Sequence, residues 1–313
     1  MIYDRFSRPL IGVRISITQR CNLDCIYCHR EGVSFRKEDG IRESATEMTP
    51  EEISRIVAVC AKNGVRKVKI TGGEPLLRSD VCGVVQKISS VNGIEDISMT
   101  TNGVLLQEYA QGLKKAGLSR INVSLDTLKP EVFSMITGGG NLKQVVAGID
   151  KAIEAGLEPV KLNMVVMKGI NESEVRDMLK NYSREGVVLQ LIELMNTDNG
   201  FFERYFYDLD EIEKEFEREA LSTTIRKFMQ SRRKYVLNGA QVEVIKPVHN
   251  TEFCASCTRL RITADGKFKP CLMRSDNLVD FLTPMRRGAG DKELEELLRE
   301  AMKKREPYFK AKI

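Results

Sequence analysis

Short apolar runs alternate with longer segments of helical periodicity through the first two thirds of the chain. The runs predicted to form strands are 13–18, 67–71, 96–100, 120–126, 160–166 and 187–194. The segments in which apolar residues recur every three or four positions, predicted to be helices, are 50–62, 81–90, 106–116, 142–155 and 172–182. Thr49 and Glu52 predict a capping box at the start of the first helix, with Pro50 at its first position. Such β–α units in series predict an α/β fold with a parallel sheet, closed as a partial (β/α)6 barrel with its helices outside.

The pattern changes near residue 208. The elements predicted beyond it are a helix over 209–220 with an acidic outer face, a second helix over 225–229, hairpin turns at Asn238-Gly239 and Asp265-Gly266, and a last helix over 291–304. We interpret the acidic face as solvated surface. The chain is therefore expected to divide into a partial barrel over 1–207 and a C-terminal extension over 208–313.

Composition and charge narrow the classes of function. Of the 313 residues, 42% are hydrophobic and 30% are charged, so a packed core is expected and disorder is not. The formal net charge of +5 fits a small anionic substrate better than a protein that coats nucleic acid. The first ten residues carry Asp4, Arg5 and Arg8 without an apolar stretch, and no run approaches the length of a membrane span. We expect a cytoplasmic protein without a nucleic-acid or membrane partner.

Eight cysteines are present, and in a reducing cytosol they do not predict disulfides. Cys60 and Cys82 stand alone in predicted helices, where we interpret them as small buried apolar residues. The other six form two groups, which are Cys21, Cys25 and Cys28, and Cys254, Cys257 and Cys271. Each group has the close spacing of metal-ligating thiolates.

The first cysteine group follows directly after the first predicted strand. Cys21, Cys25 and Cys28 place three thiolates within eight residues, at the carboxyl end of a strand, where barrel enzymes keep their active sites. Four thiolates would close a structural zinc site or an electron-transfer cluster, whereas three leave one iron of a four-iron cluster open for chemistry. Two alternatives remain open, a zinc ion with His29 as fourth ligand and buried cysteines without a metal.

The CxxxCxxC spacing, with Tyr27 before its last cysteine, resembles the signature of radical S-adenosylmethionine (SAM) enzymes. The segment 72–75, Gly-Gly-Glu-Pro, resembles their GGEP motif; paired glycines allow close approach to a ligand, and Glu74 offers a carboxylate near an ammonium group. The resemblance implies a [4Fe-4S] cluster whose open iron is chelated by SAM, and reductive cleavage of SAM to methionine and a 5′-deoxyadenosyl radical. The SAM contacts that it implies are Tyr27, Gly73, Ser124 and Met195. Taken alone, Met195 is more typical of a core residue.

The second cysteine group combines thiolates with arginines. A CxxC pair at 254–257 precedes Cys271, and His249 would complete a zinc site, which remains an alternative. Arg259 and Arg261 alternate along a predicted strand, so both project to one side beside the ligand cysteines. Because guanidinium groups recognise phosphates, this group predicts a second substrate site: a three-cysteine cluster with an open iron beside two arginines.

A longer resemblance then covers nearly the whole chain. The CxxC pair, Arg-Leu-Arg and Ala-Asp-Gly-Lys-Phe-Lys-Pro-Cys, together with the opening Arg-Ile-Ser-Ile-Thr-Gln-Arg-Cys, resemble the GTP 3′,8-cyclase family of molybdenum-cofactor biosynthesis. The resemblance implies a second [4Fe-4S] cluster on Cys254, Cys257 and Cys271, whose open iron binds the guanine of GTP. The GTP-binding residues that it implies are Arg14, Lys69, Thr100, Lys161, Arg259 and Arg261, the basic ones holding the triphosphate and orienting the sugar. The implied activity is that of a radical SAM lyase whose product is (8S)-3′,8-cyclo-GTP.

Three positions depart from that family. Gln19 stands where an aspartate is expected before Arg-Cys, and Gln190 stands where the family often has an arginine near GTP. The family commonly ends in Gly-Gly, whereas this sequence ends in Lys-Ala-Lys-Ile, which resembles archaeal-type members. We expect activity without the terminal glycines, because both cysteine groups and every basic position apart from Gln190 are present.

Two rival interpretations follow from the same residues. One is a radical SAM peptide-modifying enzyme with an auxiliary cluster, and the other is a non-catalytic module with zinc in both cysteine groups. For the cyclase interpretation, we expect GTP as substrate, an electron-donor protein of unspecified identity, hand-over of the product to the next enzyme of the pathway, and a homodimer as a compatible assembly.

Overall fold

The computed structural model describes residues 1–29, 47–196, 200–248 and 250–308. Its strands are β1 Gly12–Ser16, β2 Lys67–Thr71, β3 Asp96–Thr101, β4 Arg120–Ser124, β5 Val160–Val166, β6 Val187–Glu193, β7 Ser222–Arg226, β8 Arg232–Val236, β9 Gln241–Ile245, β10 Arg259–Ile262, β11 Lys267–Lys269 and β12 Val279–Asp280. Its helices are α1 Pro50–Lys62, α2 Val81–Ser89, α3 Leu106–Lys115, α4 Pro130–Thr137, α5 Leu142–Glu154, α6 Val175–Asn181, α7 Phe201–Tyr205, α8 Asp210–Glu219, α9 Thr251–Ala255, α10 Leu282–Arg286 and α11 Asp291–Lys303. His249 and the last five residues lie outside the described residues.

All twelve strands join one sheet in the order β12-β11-β10-β1-β2-β3-β4-β5-β6-β9-β8-β7. The first six run parallel to one another, as the β–α pattern predicts, and form the partial barrel. Strand β10 adds to β1 in parallel, and β9 adds to β6 in parallel. Strands from the C-terminal third therefore extend both edges of the barrel sheet.

The two faces of the barrel sheet differ in polarity because side chains alternate along each strand. On β4, Ile121 and Val123 are wholly buried in the hydrophobic core that the helices share. Between them, Asn122 hydrogen-bonds to side chains of other strands across the sheet. The helix-facing side is thus apolar, and the inner side is lined with polar groups. This inner side is where a polar ligand can be held.

Helix α1 illustrates how the outer layer is specified. Thr49 and Glu52 form the reciprocal capping box, with Pro50 in the first turn. Ile53 and Ile56 are fully buried on the inner face of the helix. Burying an aliphatic side chain of this size contributes about 1.5–3 kcal/mol, so this face fixes the helix on the sheet. The capping box and the bounds of the helix are confirmed.

The sequence predictions succeed for the barrel and fail in one part of the extension. The six barrel strands are confirmed to within two residues at each end, and so are the helix at 209–220 and both hairpin turns. The helix predicted over 225–229 is wrong. The segment forms β7 and a 3-10 turn, because the β-branched run ending at Ile225 pairs with β8. Ile225 and Phe228 are exposed, so their spacing reflects no helix core. In the described chain, no helix is both long and apolar enough to cross a membrane.

Candidate active site

The first cysteine loop follows β1 at the carboxyl end of the barrel. Cys21 and Cys28 are exposed and Cys25 is half-buried. Burial, the neighbouring Asp126 and the other two thiols raise the pKa of Cys25 well above its usual value, so the three sulfurs are close enough to influence one another. The backbone N–H of Leu23 donates to Cys21 Sγ at 3.5 Å. The loop therefore gathers three thiols at one end of the barrel.

The Gly-Gly-Glu-Pro segment lies backbone against backbone on the chain that leads into this loop. Gly73 N–H donates to the Thr18 carbonyl at 2.8 Å, and Glu74 N–H donates to the Arg20 carbonyl at 2.7 Å. A Cβ on Gly73 would stand 2.2 Å from the Arg20 oxygen, and one on Gly72 would stand 2.8 Å from the Thr18 oxygen. Only glycine permits this approach at both positions. The motif thus holds the cysteine loop in place.

The Glu74 carboxylate is turned towards the chain itself. It accepts hydrogen bonds from Thr101 Oγ1 and Asn102 N–H, each at 2.7 Å, and from Leu76 N–H at 3.0 Å. Burial raises its pKa to about 7, although these hydrogen bonds oppose the shift. Glu74 therefore fastens the end of β3 to the glycine loop, and it leaves the exposed backbone of Gly73 as the part of the motif that faces outward.

The four residues implied for SAM lie around the same end of the barrel. Tyr27 donates to Asp126 Oδ2 at 2.7 Å, and Asp126 Oδ1 accepts the Val165 N–H at 2.8 Å, which ties the cysteine loop to β5. Ser124 is the last residue of β4 and is half-buried. Met195 lies two residues beyond the end of β6 and is also half-buried. These three residues and Gly73 therefore lie near the carboxyl ends of the barrel strands, close to the cysteine loop.

The second cysteine loop is held by buried arginines from the two ends of the chain. Arg8 Nη1 donates to the Cys254 carbonyl at 2.9 Å, and Arg305 Nη2 donates to the Cys257 carbonyl at 2.5 Å. Asp4 pairs with both guanidinium groups, at 2.7 and 3.0 Å. Burial alone would raise the pKa of Cys257, but Arg305 and the other nearby arginines lower it overall. This loop therefore lies in cationic surroundings.

Both cysteine groups fit a four-iron cluster with an open position. All eight cysteines lie in the described part of the chain, and none forms a disulfide. Within that part, no three His, Cys, Asp or Glu side chains are already arranged around a single metal position, and His249, the fourth ligand of the alternative zinc site, lies outside it. Three thiols per group are the donor set that leaves one cluster iron without a protein ligand. Cys60 is buried and Cys82 is half-buried against the core, outside both groups.

Basic side chains line the inner face of the sheet between the two cysteine loops. Strand register aligns Arg261 of β10 with Arg14 of β1 and Lys69 of β2. Burial and the neighbouring Arg14 and Arg259 lower the pKa of Lys69 well below its usual value. Burial likewise lowers the pKa of Lys161 to about 8, although its partner Glu243 opposes the shift. So many cations in one cavity create a site for a multiply charged anion.

A chain of hydrogen bonds crosses the same inner face. Lys69 Nζ donates to Asn122 Oδ1 at 2.8 Å, and Asn122 Nδ2 donates to Gln190 Oε1 at 2.8 Å. Gln190 in turn donates to Glu243, which also accepts from Lys161 Nζ at 2.6 Å. The structure therefore joins Lys69 and Lys161, which are far apart in sequence, through one polar network. Of the predicted GTP contacts, Arg259 and Arg261 share the inner side of β10 with buried Leu260 between them.

The side chain of Thr100 contributes an unused hydrogen-bonding group to the cavity. Its Oγ1 is buried and has no hydrogen-bond partner in the part of the chain that the structure describes. Buried hydroxyls are normally paired, so an orphan in a polar cavity marks a place where a ligand can supply the partner.

Four charged residues near this cavity were not predicted from the sequence: Arg120, Arg226, Arg232 and Glu243. Arg226 lies in the segment assigned to a helix, which concealed its alternation along β7. Glu243 reaches the cavity through the pairing of β9 with β6, a contact between residues 53 positions apart that local pattern does not reveal. The one signal available in the sequence was that Glu243 is a polar residue between apolar Val242 and Val244.

Comparisons with known proteins cover nearly the whole chain. The family model described as Radical SAM superfamily matches residues 15–181, and the model described as Molybdenum Cofactor Synthesis C matches residues 187–311. A relative from Thermococcus kodakarensis named probable GTP 3′,8-cyclase is 48% identical over 99% of this chain and 100% of its own length. A relative of the same name from Methanothermobacter marburgensis is 49% identical over 99% of both chains.

Two solved structures share the fold at low sequence identity. Streptococcus suis SuiB bound to S-adenosylmethionine has a TM-score of 0.61 at 18% identity, covering 85% of this chain and 60% of that one. Native anSMEcpe with bound AdoMet has a TM-score of 0.59 at 15% identity, covering 93% of this chain and 81% of that one. At such identities the likeness concerns the fold, and it confirms the predicted α/β partial barrel.

Proposed function

Because the chain belongs to the radical SAM superfamily and, within it, to the GTP 3′,8-cyclase family, we propose that it converts GTP to (8S)-3′,8-cyclo-GTP in the first step of molybdopterin (molybdenum cofactor) biosynthesis. The observation that carries this proposal is the cavity lined with cations between two three-cysteine loops. A triphosphate needs several positive partners in a desolvated site, and the inner face of this sheet provides them.

The first cysteine loop would hold the cluster that works with SAM. Cys21, Cys25 and Cys28 supply its thiolates, and we propose that Tyr27, Gly73, Ser124 and Met195 bind SAM. When bound, this cluster and SAM would supply a 5′-deoxyadenosyl radical that abstracts hydrogen from C3′ of GTP, so that C3′ can bond to C8 of guanine; a further electron and a proton complete the ring. The protein's part is to hold the loop rigidly, through the glycine segment and the Tyr27–Asp126 hydrogen bond.

The second cysteine loop and the cationic inner face would bind the nucleotide. Cys254, Cys257 and Cys271 would hold a second [4Fe-4S] cluster with one position open for guanine, next to the arginines of β10. We propose that the basic side chains grip the phosphates and so orient the ribose, and that Thr100 donates its unpartnered hydroxyl to the substrate. The residues assigned to GTP are Arg14, Lys69, Thr100, Lys161, Arg259 and Arg261. Their charge and the relatives' name favour GTP over the peptide substrate of the rival interpretation.

The two proposed domains have different roles in the reaction. We propose that residues 1–207 generate the radical and that both parts hold the nucleotide, the first through Arg14, Lys69, Thr100 and Lys161 and the second through its cluster, Arg259 and Arg261. An electron donor must deliver one electron for SAM cleavage and a second to complete the ring, and we propose that the next enzyme of the pathway receives the product from this one. We further propose that the enzyme works in the cytoplasm, where both nucleotide substrate and reductant are available.

The test is anaerobic incubation of the iron-loaded protein with GTP, SAM and a strong reductant, followed by identification of the products. We expect cyclised GTP and 5′-deoxyadenosine in equal amounts. Formation of 5′-deoxyadenosine without any change in GTP, in an enzyme that carries about eight irons, would refute the cyclase proposal and leave radical SAM chemistry on another substrate.

A further inference from the structure

Gln190 lies buried on the inner face of the sheet, at a position where the sequence resemblance predicts an arginine. Its amide is already committed in both directions, accepting from Asn122 and donating to Glu243. A neutral side chain held in this way adds no charge for a phosphate. The cation that this position would supply must therefore come from elsewhere if the cavity is to hold a triphosphate.

Two arginines of the C-terminal hairpin reach the same place. Arg226 of β7 and Arg232 of β8 are opposite each other in the strand register. Arg226 Nη1 donates to Glu243 Oε1 at 2.6 Å. Burial and the nearby Arg226 and Arg14 lower the pKa of Arg232 to about 10, although Glu243 opposes the shift. Its Nε is buried without a hydrogen-bond partner among the described residues. Arg232 therefore presents an unused donor beside Arg14.

Glu243 is the acidic member of this group. It is fully buried and accepts hydrogen bonds from Lys161, Arg226 and Gln190. Burial alone would raise the pKa of Glu243, but Lys161 and Arg226 lower it to about 2, so the group is ionised at neutral pH. A buried carboxylate keeps buried cations paired in the absence of ligand, since unpaired buried charges are strongly destabilising.

A cavity of about 340 Å³ opens against these side chains. Its lining includes Arg120, Lys161, Arg226, Lys234 and Glu243. Cross-strand pairing places Lys234 opposite Glu243, so a further cation borders the same carboxylate. Lys161, already assigned to the nucleotide, is thus also a lining residue of this cavity.

We propose that Arg226 and Arg232 bind the phosphate groups of the substrate, and that Glu243 is the built-in counter-ion from which the phosphates take over Lys161 and Arg226. The inference rests on the proposed function for the identity of the nucleotide. The two arginines supply the charge that Gln190 lacks. The carboxylate holds the donors of Lys161 and Arg226 in position until a phosphate, which offers more acceptor oxygens, replaces it.

In the alternative, Glu243 only positions the cations, and removal of its carboxylate would then change phosphate binding in the opposite direction. If the carboxylate stayed in place to aim Lys161 and Arg226 at the phosphates, its removal would weaken binding. If it is replaced by phosphate, its removal eliminates a competing anion and strengthens binding. Glu243→Gln is nearly isosteric and can still accept hydrogen bonds, so it separates the two roles.

The experiment measures dissociation constants of the iron-loaded enzyme by calorimetry for GTP, inorganic tripolyphosphate and SAM. Arg226→Ala and Arg232→Ala are each expected to weaken GTP and tripolyphosphate by about 30-fold, the loss of one charge-assisted contact, and to leave SAM unchanged. Glu243→Gln is expected to bind both phosphate ligands about three- to tenfold more tightly. Arg233→Ala is the matched control, because Arg233 lies next to Arg232 but pairs with Glu217 on exposed surface; it should change nothing beyond twofold.

Losses of less than twofold for both arginine variants, equal losses for SAM, or weaker phosphate binding by Glu243→Gln would overturn the proposal, provided that iron content and melting temperature match the parent enzyme. Tripolyphosphate separates this inference from the proposed function. If it binds through Arg226 and Arg232 while GTP is never cyclised, the phosphate site stands and the assigned reaction fails.

Discussion

The loop of Cys21, Cys25 and Cys28 lies among carboxylates, whereas the loop of Cys254, Cys257 and Cys271 lies among arginines. Near the first, Asp126 and Glu74 raise the pKa of thiols that burial has already raised. Near the second, Arg305, Arg259 and Arg8 lower the pKa of Cys257 against the effect of burial. Two sets of three thiols are thus placed in surroundings of opposite sign.

The difference matches the charge of the proposed ligands. SAM carries a sulfonium and an ammonium group, and carboxylates near the first loop favour such cations. GTP carries several negative charges, and arginines near the second loop favour those. The supports differ as well: the glycine segment holds the first loop through backbone contacts, while long buried side chains hold the second.

Removing one thiol from each loop should separate the two functions completely. Cys28→Ala is expected to abolish SAM cleavage, whereas Cys271→Ala should spare uncoupled cleavage and stop GTP conversion. Each variant should carry about four irons instead of about eight, because each loses one cluster. Quantifying 5′-deoxyadenosine, cyclised GTP and iron checks this. If Cys271→Ala still cyclised GTP, the second loop would be only structural.

Gly73→Ala should damage the first loop alone. The added Cβ would stand 2.2 Å from the Arg20 oxygen, so the segment must move away from the cysteine loop, at a cost of about 1–3 kcal/mol. We expect weaker SAM binding and incomplete loading of the first cluster, with tripolyphosphate binding unchanged. Gly83→Ala is the control, since a Cβ there meets open space within α2. An unaffected SAM affinity in Gly73→Ala would show that the backbone contact is dispensable.

Arg305→Ala should damage the second loop alone. It removes the donor to the Cys257 carbonyl and leaves Asp4 with one cation fewer; breaking a buried ion pair costs about 3–5 kcal/mol. We expect faster loss of iron from the second cluster under chelator challenge, followed by its absorbance, while SAM cleavage persists. Lys304→Ala, which loses only a surface pair with Glu300, is the matched control. Iron retention equal to that of the parent would mean that the arginines only neutralise Asp4.

Lys161→Ala and Arg259→Ala should affect affinity without affecting the clusters. Charge-assisted contacts to phosphate are worth about 2 kcal/mol each when partly desolvated, so GTP binding should weaken by tens of fold. SAM affinity and iron content should stay near those of the parent enzyme. Titration calorimetry with each ligand measures this. Equal losses for GTP and SAM would indicate that these residues shape the barrel and do not select the substrate.

The sequence predicts the barrel better than the surfaces added to it. Strands β1 to β6 alternate with helices and have buried apolar residues, so their local pattern suffices, and the cysteine spacings identify both loops. Strand β7 is an edge strand with exposed Ser222 and Ile225, and its sequence carries no core signal. Arg226 and Glu243 were missed for a related reason: their meeting depends on the pairing of β7, β8 and β9, which is set by tertiary contacts.

Strands from late in the sequence extend both edges of the barrel sheet, and this order affects how the chain folds. During synthesis, β1 emerges long before its neighbour β10, and Arg8 meets the Cys254 carbonyl across 246 positions of sequence. Contacts of such separation form slowly, and an unpaired strand edge invites association with other chains. The nascent barrel therefore has unpaired edges at β1 and β6, and a cation-rich inner face, until the last third of the chain has left the ribosome. Assembly of the second iron site is then a late event, coupled to the moment at which the two ends of the polypeptide meet at Asp4 and Arg305.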